Sequence, residues 1–342
     1  MATLSTYYPT LLDVARALDP NGRIAMVAEV LQQYNDILDD IPWLEGNLPT
    51  GTQHTIRTSK PTPTKRLLNQ GVAPSKSTTG QIVDVCAIYE TQSHIDKNLA
   101  DMNGNTQAFR MTQDKGMMEG FADALAIDLI YGDSSVTPTA FDGLAPRYFA
   151  LSGQTTSTNV IDAGGTGSDN TSIWLVCWGP EKVFGVYPKS SRAGLQVEDK
   201  GLQNILTDAT NNQYMMAYVT WMQWMAGLAI ADWRYVVRIA NIDVSALLTA
   251  SDSTDTSANI LKLMIRALGK IPPRGGNVRP VFYMNESVQT MLSVKLLDKS
   301  NLFLNLSELK GSPVFRPNGT LTFQGVPCRR IDGITSTESA LT

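Results

Sequence analysis

The residue types that ordinarily carry chemistry are few in this chain and poorly spaced for it. Its two histidines, His54 and His94, form no H-E-x-x-H motif and no i, i+4 pair, so no helical zinc site is encoded. No G-x-S-x-G serine accompanies them, which removes the nucleophile elbow of a hydrolase. Either ring can act as a general base, although a polar surface or interface role accounts for both. The three cysteines, Cys86, Cys177 and Cys328, lie far apart with no C-x-x-C pair and an odd total. That describes free thiols in a reducing compartment, not a disulfide or zinc framework. Gly164-Gly165-Thr166-Gly167-Ser168 has the glycine density of a phosphate loop. Asp169 and Asn170 follow where a P-loop needs Lys and Ser or Thr, and a carboxylate facing a phosphate argues for a plain turn. Asp199 and Asp243 have no spacing that would identify a glycosidase pair. The chain reads as no enzyme, with no cofactor and no metal.

Other side chains suit binding. Arg57, Lys60, Lys65, Arg66 and Lys76 occur with no Asp or Glu between Glu45 and Asp84. Asp36, Asp39 and Asp40 end a helical pattern before Pro42-Trp43 and read as a solvated acidic face ahead of a metal site. Arg234 and Arg238, straddling Val236, read as one face of a strand, directed at acids of another subunit or at solvent. Tyr214, Tyr218, Trp221 and Trp224 have the composition of a stacking platform, yet lack interleaved cations and fit core or interface packing better.

Positioning these residues falls to a chain of 342 residues that is 43% hydrophobic and 18% charged. It is too apolar for disorder. Lys+Arg 28 against Asp+Glu 32 gives a net charge of −4, which argues against a histone-like nucleic-acid binder. The length suits about two domains. The first residues show no secretory signal peptide. Residues 1–45 carry helical periodicity through Leu11 to Leu18 and Ile24 to Leu38. Residues 46–80 are punctuated by Gly and Pro, and the flanks Gln53 to Thr58 and Gln81 to Tyr89 are strand-like, which predicts a long β-hairpin with a basic tip. Residues 104–131 give the clearest helix, with Met111, Met118, Phe121, Leu125 and Leu129 as its apolar stripe. Strands are expected at Ser172 to Trp178, Val183 to Tyr187, Tyr218 to Met225, Tyr235 to Ile239, Val281 to Met284, Leu321 to Phe323 and Val326 to Ile331. Helices are expected at Thr256 to Leu268 and Glu286 to Leu297. The charge-free run from Tyr214 to Ala231 is broken by Thr220, Gln223 and Gly227, and its aromatics suit buried strands over a membrane span. The whole is an α+β mixture without regular βαβ alternation.

This order of parts resembles the major capsid proteins of tailed bacteriophages, which have the Hong Kong 97-type shell fold. The phrases that carry the likeness are Gly132-Asp133 through Gly143-Leu144-Ala145, Val236-Val237-Arg238-Ile239-Ala240-Asn241-Ile242-Asp243, Tyr283-Met284-Asn285 and Val326-Pro327-Cys328-Arg329-Arg330-Ile331-Asp332. The resemblance implies an N-terminal arm (1–45), an extended E-loop hairpin with its return strand (46–101), and a spine helix opening the P domain (102–170). It further implies a region that is mainly A domain (171–300) and closing P-domain strands (301–342). The strand-rich stretch before the helices at 256–268 and 286–297 departs from the commonest arrangement and bears on the strand connectivity.

The resemblance also implies partners. These are copies of the chain itself as hexamers and pentamers, a separate scaffolding protein, a portal and a decoration or cement protein. The shell would enclose double-stranded DNA without sequence-specific binding and without a membrane, in a virion assembled in the bacterial host cytoplasm. The basic hairpin is expected to lie on an acidic surface of an adjacent subunit, facing an N-terminal arm that carries Asp13, Asp19, Glu29, Asp36, Asp39 and Asp40. Lys60, Lys65 and Lys76 are the available donors for the self-crosslinking known in part of the family, with no partner assigned. The alternatives are an encapsulin-like nanocompartment and, in another class, a soluble hydrolase or carbohydrate-binding protein.

Overall fold

A computed structural model describes residues 35–102, 106–208, 213–249, 259–272, 278–296, 304–307 and 320–342. In chain order come helix α1 (Ile37–Asp40) and strands β1 (Trp43–Glu45), β2 (Gly51–Ser59), β3 (Thr78–Val85) and β4 (Ala87–Asp96). Helices α2 (Lys97–Asp101) and α3 (Thr106–Tyr131) follow, then β5 (Val160–Asp162), β6 (Asn170–Trp178), β7 (Val183–Tyr187), β8 (Gln196–Asp208), β9 (Gln213–Ile230) and β10 (Val236–Asp243). The chain continues through α4 (Val244–Thr249), α5 (Ile260–Lys270), β11 (Arg279–Met284), α6 (Glu286–Leu296), β12 (Leu304–Ser307), β13 (Thr320–Phe323) and β14 (Val326–Arg330). The amphipathic segments expected between residues 11 and 34 lie outside the described residues. The chain divides into two units. One contains Ile88–Leu125 and Arg192–Met225, the other the described parts of Tyr34–Ala87, Ala126–Ser191 and Ala226–Thr342.

The larger unit is built on β6, whose nine residues are all buried. A strand covered on both faces has no reason to alternate polar with apolar, and Ile173-Trp174-Leu175-Val176-Cys177-Trp178 does not. β10 and β11 flank β6 antiparallel, with Val176 opposite Val236 on one side and Val281 on the other. β14 runs parallel to β11, and β13 and β12 continue antiparallel beyond it. β7 pairs antiparallel with the end of β9 and parallel with β1. Successive side chains of a strand point to opposite faces. Ile173, Leu175, Phe282 and Met284 accordingly join one core with Leu247 of α4, Ile260, Leu263, Met264 and Ala267 of α5, and Val288 and Leu292 of α6. The α5 residues recur at i, i+3, i+4 and i+7, and the Asn259 side chain caps the helix by accepting from the Lys262 amide at 3.1 Å. On the opposite face Trp174 meets Tyr148 edge-on at 6.2 Å and Trp178 meets Tyr283 at 6.4 Å.

The smaller unit pairs β8 antiparallel with the first part of β9. Ile95, Leu99, Ala100 and Phe109 form its apolar cluster, against Tyr218. Arg110 of α3 reaches Asp199 at 2.6 Å, and Thr220 donates to Asp114 at 3.1 Å.

Several boundaries differ from expectation for identifiable reasons. β9 has 18 residues where the pattern marked only Tyr218 to Met225. Its partner β8 was not foreseen, because Glu198, Asp199, Lys200, Gln203 and Asn204 mask any apolar alternation. The apolar stripe of α3 is correct only in its second half. Phe121, Leu125, Ala126, Leu129 and Ile130 are buried, whereas Met111 is 69% exposed. Among the described residues no helix is long and apolar enough to cross a membrane.

Candidate inter-subunit surfaces

β2 and β3 pair in register from Gly51–Val85 to Ser59–Thr78, with a bulge between Arg57 and Ser59. The last ties are hydroxyl contacts of Thr58 and Ser59 with Thr78, at 2.8 and 2.6 Å. Every residue from Arg57 to Thr79 is exposed. Between the strands one turn is fixed, by the Gln70 amide donating to the Leu67 carbonyl at 3.3 Å and by Arg66 donating to the Gln70 carbonyl at 3.2 Å. The expected cations Arg57, Lys60, Lys65, Arg66 and Lys76 therefore all lie on one projecting arm without an acid. Leu67 and Leu68, 74% and 91% exposed, stand at its tip among them. A two-stranded hairpin is marginal in water unless it packs on something.

At the root of the arm Gly51, Thr52 and Asp84 are buried, while Val83 and Val85 beside them stay exposed. The Asp84 side chain is 2% exposed and ion-pairs with Arg147 at 2.7 Å. The Cys86 amide donates to the Thr50 carbonyl at 2.9 Å. At Gly51 the strands come so close that a Cβ would lie 2.1 Å from the Asp84 carbonyl oxygen. Burial, with the Asp84 charge nearby, pushes the Cys86 thiol up to about 11, so it is no nucleophile at neutral pH.

The acidic trio is not one solvated face. Ile37 and Asp40 share the inward side of a single helical turn, so Asp40 is buried while Asp39 is exposed. Asp40 accepts from the Tyr283 hydroxyl at 2.8 Å and pairs with Arg329 at 2.9 Å. Burial pulls both Asp40 and Asp36 above the ordinary carboxylate value. Among the described residues no group of carboxylates, histidines and cysteines is arranged to hold a metal ion.

Arg234 and Arg238 also separate. Arg234 belongs to a 3₁₀ turn (Trp233–Tyr235), not to the strand, and forks onto its neighbour Asp232 at 2.9 and 2.8 Å. Arg238 points inward from β10. It donates to Glu338 at 2.9 Å, to Ser172 and to the Tyr148 carbonyl, each at 3.0 Å, and lies 4.8 Å over the Trp174 ring. Asp40 and Arg238 thus hold their own chain together. Arg57, Lys60, Lys65, Arg66, Lys76, Asp36, Asp39 and Arg234 keep exposed or half-exposed side chains.

The remaining motifs serve the fold. The Gly165 amide donates to the Asn241 carbonyl at 2.8 Å, and a Cβ there would come within 2.6 Å of that oxygen, so the glycine run is a tight turn. Trp221 donates to Glu90 at 2.7 Å, and Tyr218 lies under Arg110 at 5.0 Å. Sequence reasoning missed Arg147 and Asp84 at the hairpin root and Glu338 beneath Arg238. Each is a charge distant in sequence from its partner, and no periodicity announces such a pair.

The family model described as major capsid protein GP7 matches residues 19–342. A chain of the near-atomic-resolution structure of bacteriophage Epsilon15 is 31% identical with a TM-score of 0.78, and the match covers 100% of both chains. The capsid of bacteriophage JBD30 matches at 10% identity and a TM-score of 0.44 over 97% of each chain. The capsid of a native GTA particle matches at 8% identity and a TM-score of 0.45, over 66% of this chain and 95% of that one. No curated protein matches.

Proposed function

This chain belongs to the family of the major capsid protein GP7, and from that premise we propose how its surfaces build a shell. It is a phage coat protein of the α+β, Hong Kong 97-like kind, a structural component of the virion that assembles with copies of itself into capsomers. Family membership makes it no enzyme and sets aside the encapsulin-like, hydrolase and carbohydrate-binding alternatives.

The proposal is that hexamers and pentamers of the chain close an icosahedral shell around double-stranded DNA. The E-loop spans residues 46–101, and its exposed arm from Arg57 to Thr79 lies on an acidic, partly apolar surface of an adjacent copy. The observation that carries this reading is the arm itself, exposed throughout, acid-free, and tipped by Leu67 and Leu68. Permanent interfaces commonly bury over about 2,000 Å², and a projecting arm extends the area each copy offers. Each exposed ion pair contributes only about 0.2–1 kcal/mol. Repeated through a closed assembly, such pairs set register more than strength. Asp36 and Asp39 are proposed as acceptors, with Arg234 as a further contact. A net charge of −4 suits a container whose contents should pack densely without gripping its wall. A separate scaffolding protein, a portal and a decoration protein complete the proposed assembly in the host cytoplasm.

The test is charge reversal at Lys65 and Arg66. The double variant K65E/R66E should keep the circular dichroism and urea midpoint of the parent chain while yielding few closed particles by negative-stain microscopy. Normal particle yield would overturn the role given to the arm.

A further inference from the structure

At the hairpin root one histidine ring faces two hydrogen-bond acceptors. His54 Nε2 lies 3.1 Å from the Ile230 carbonyl oxygen, and Nδ1 lies 3.6 Å from Asp84 Oδ2. Nδ1 and Asp84 Oδ2 are both buried and have no hydrogen-bond partner among the described residues. The other Asp84 oxygen, Oδ1, is held by Arg147 at 2.7 Å. Arg147 in turn donates to the carbonyls of Asp142 and Leu228 at 3.1 and 3.3 Å, so it is not free to turn toward Oδ2. The Cys86 thiol, also near Asp84, stays neutral.

A neutral imidazole carries one N–H. If Nε2 bears it, the Nδ1 lone pair confronts a carboxylate oxygen. If Nδ1 bears it, the Nε2 lone pair confronts a carbonyl oxygen. Only the imidazolium donates to both. We propose that His54 is a proton-operated latch of the hairpin. The protonated ring joins β2 to Asp84 on β3 and to the Ile230 carbonyl at the end of β9. Losing the proton leaves one facing pair of acceptors unsatisfied at buried atoms, which loosens the root. Arg147 already neutralises Asp84, so the protonated cluster is net positive. An N–H directed at each acceptor, in a hydrogen bond to Ile230 and an ion-pair contact to Asp84, rather than charge neutralisation, closes the latch. Everything from Arg57 to Thr79 is exposed, so the root alone aims the arm. The latch belongs to the single chain and does not depend on what the arm touches.

The experiment is hydrogen exchange of the purified chain, corrected for intrinsic rates, at about pH 5.5 and about pH 8, which bracket the range where histidine changes charge. Protection of 51–59 and 78–85 should be about tenfold higher at the lower pH, the order of one charge-assisted hydrogen bond. β10 and β11 should not change. His54→Gln should abolish the difference and His94→Gln should keep it. Equal protection at both pH values, or a difference that survives His54→Gln, overturns the latch. Should His54→Gln fail to fold, the His94→Gln chain has a single imidazole, whose NMR signal must titrate in step with the loss of protection. A signal that titrates out of step also overturns it.

Discussion

The Tyr283 hydroxyl donates to Asp40 Oδ2 at 2.8 Å while itself accepting from Trp178 Nε1 at 2.7 Å. This buried relay anchors the turn before β1 to the central sheet, and it has a consequence for pH. Burial raises the Asp40 carboxyl above its ordinary 3.8, outweighing the hydrogen bond from Tyr283 and the charge of Arg329 that favour ionisation. The folded chain therefore holds this proton more tightly than the unfolded chain. The contribution to stability is fully present below 3.8 and is lost as pH rises through the raised folded value. Asp40→Asn cannot titrate. The difference in urea midpoint between Asp40→Asn and parent should shift in favour of the variant as pH rises from about 4 to neutrality. A pH-independent difference would show that ionising Asp40 costs the fold nothing.

Arg238 and Glu338 form an enclosed ion pair in the larger unit, with side chains 5% and 7% exposed. Ser172 and Tyr131 also donate hydroxyls to the Glu338 carboxylate. Removing one partner leaves a buried charge uncompensated, and Glu338→Ala should cost about 3–5 kcal/mol in chemical denaturation. Replacing both, as Arg238→Met with Glu338→Leu, should recover much of that loss, because an apolar pair needs no desolvation of charge. A double variant no more stable than Glu338→Ala would mean that the remaining hydrogen bonds of Arg238, to Ser172 and Tyr148, matter more than the charge pairing.

The difference between Arg234 and Arg238 shows what could be read from sequence. Strand residues of β6, β7 and β11 were legible because apolar β-branched and aromatic runs have few other folded uses. Helix α5 was legible from its i, i+3, i+4, i+7 spacing, with its start displaced to the Asn259 cap and its end to Lys270. The hairpin was legible because an acid-free, Gly- and Pro-rich window between two strand-like flanks has a simple solution. Arg238 was misplaced because a buried arginine is recognised only by its partner, and Glu338 is a hundred residues away. Asp40 failed likewise, since Tyr283 is 243 residues distant. In the N-terminal half of α3 the buried side is marked by Phe109, and Met111 and Met118 were misread because they fit the apolar period whether or not anything covers them.

The tip of the hairpin combines two chemistries that salt separates. Leu67 and Leu68 touch no core, so Leu67→Ser with Leu68→Ser should change the stability of the isolated chain by no more than about 0.5 kcal/mol. If the tip docks on another copy, the same substitutions should lower shell yield through lost apolar burial of about 25 cal/mol per Å². The charge-reversed K65E/R66E chain acts through Coulomb interactions, which a Debye length of about 3 Å at 1 M salt suppresses. Raising salt from about 0.1 M to about 1 M should therefore narrow the gap in particle yield between K65E/R66E and parent, read by sedimentation. It should leave the gap between the leucine variant and parent unchanged or wider. A common response of both variants to salt would mean that one chemistry alone seats the tip.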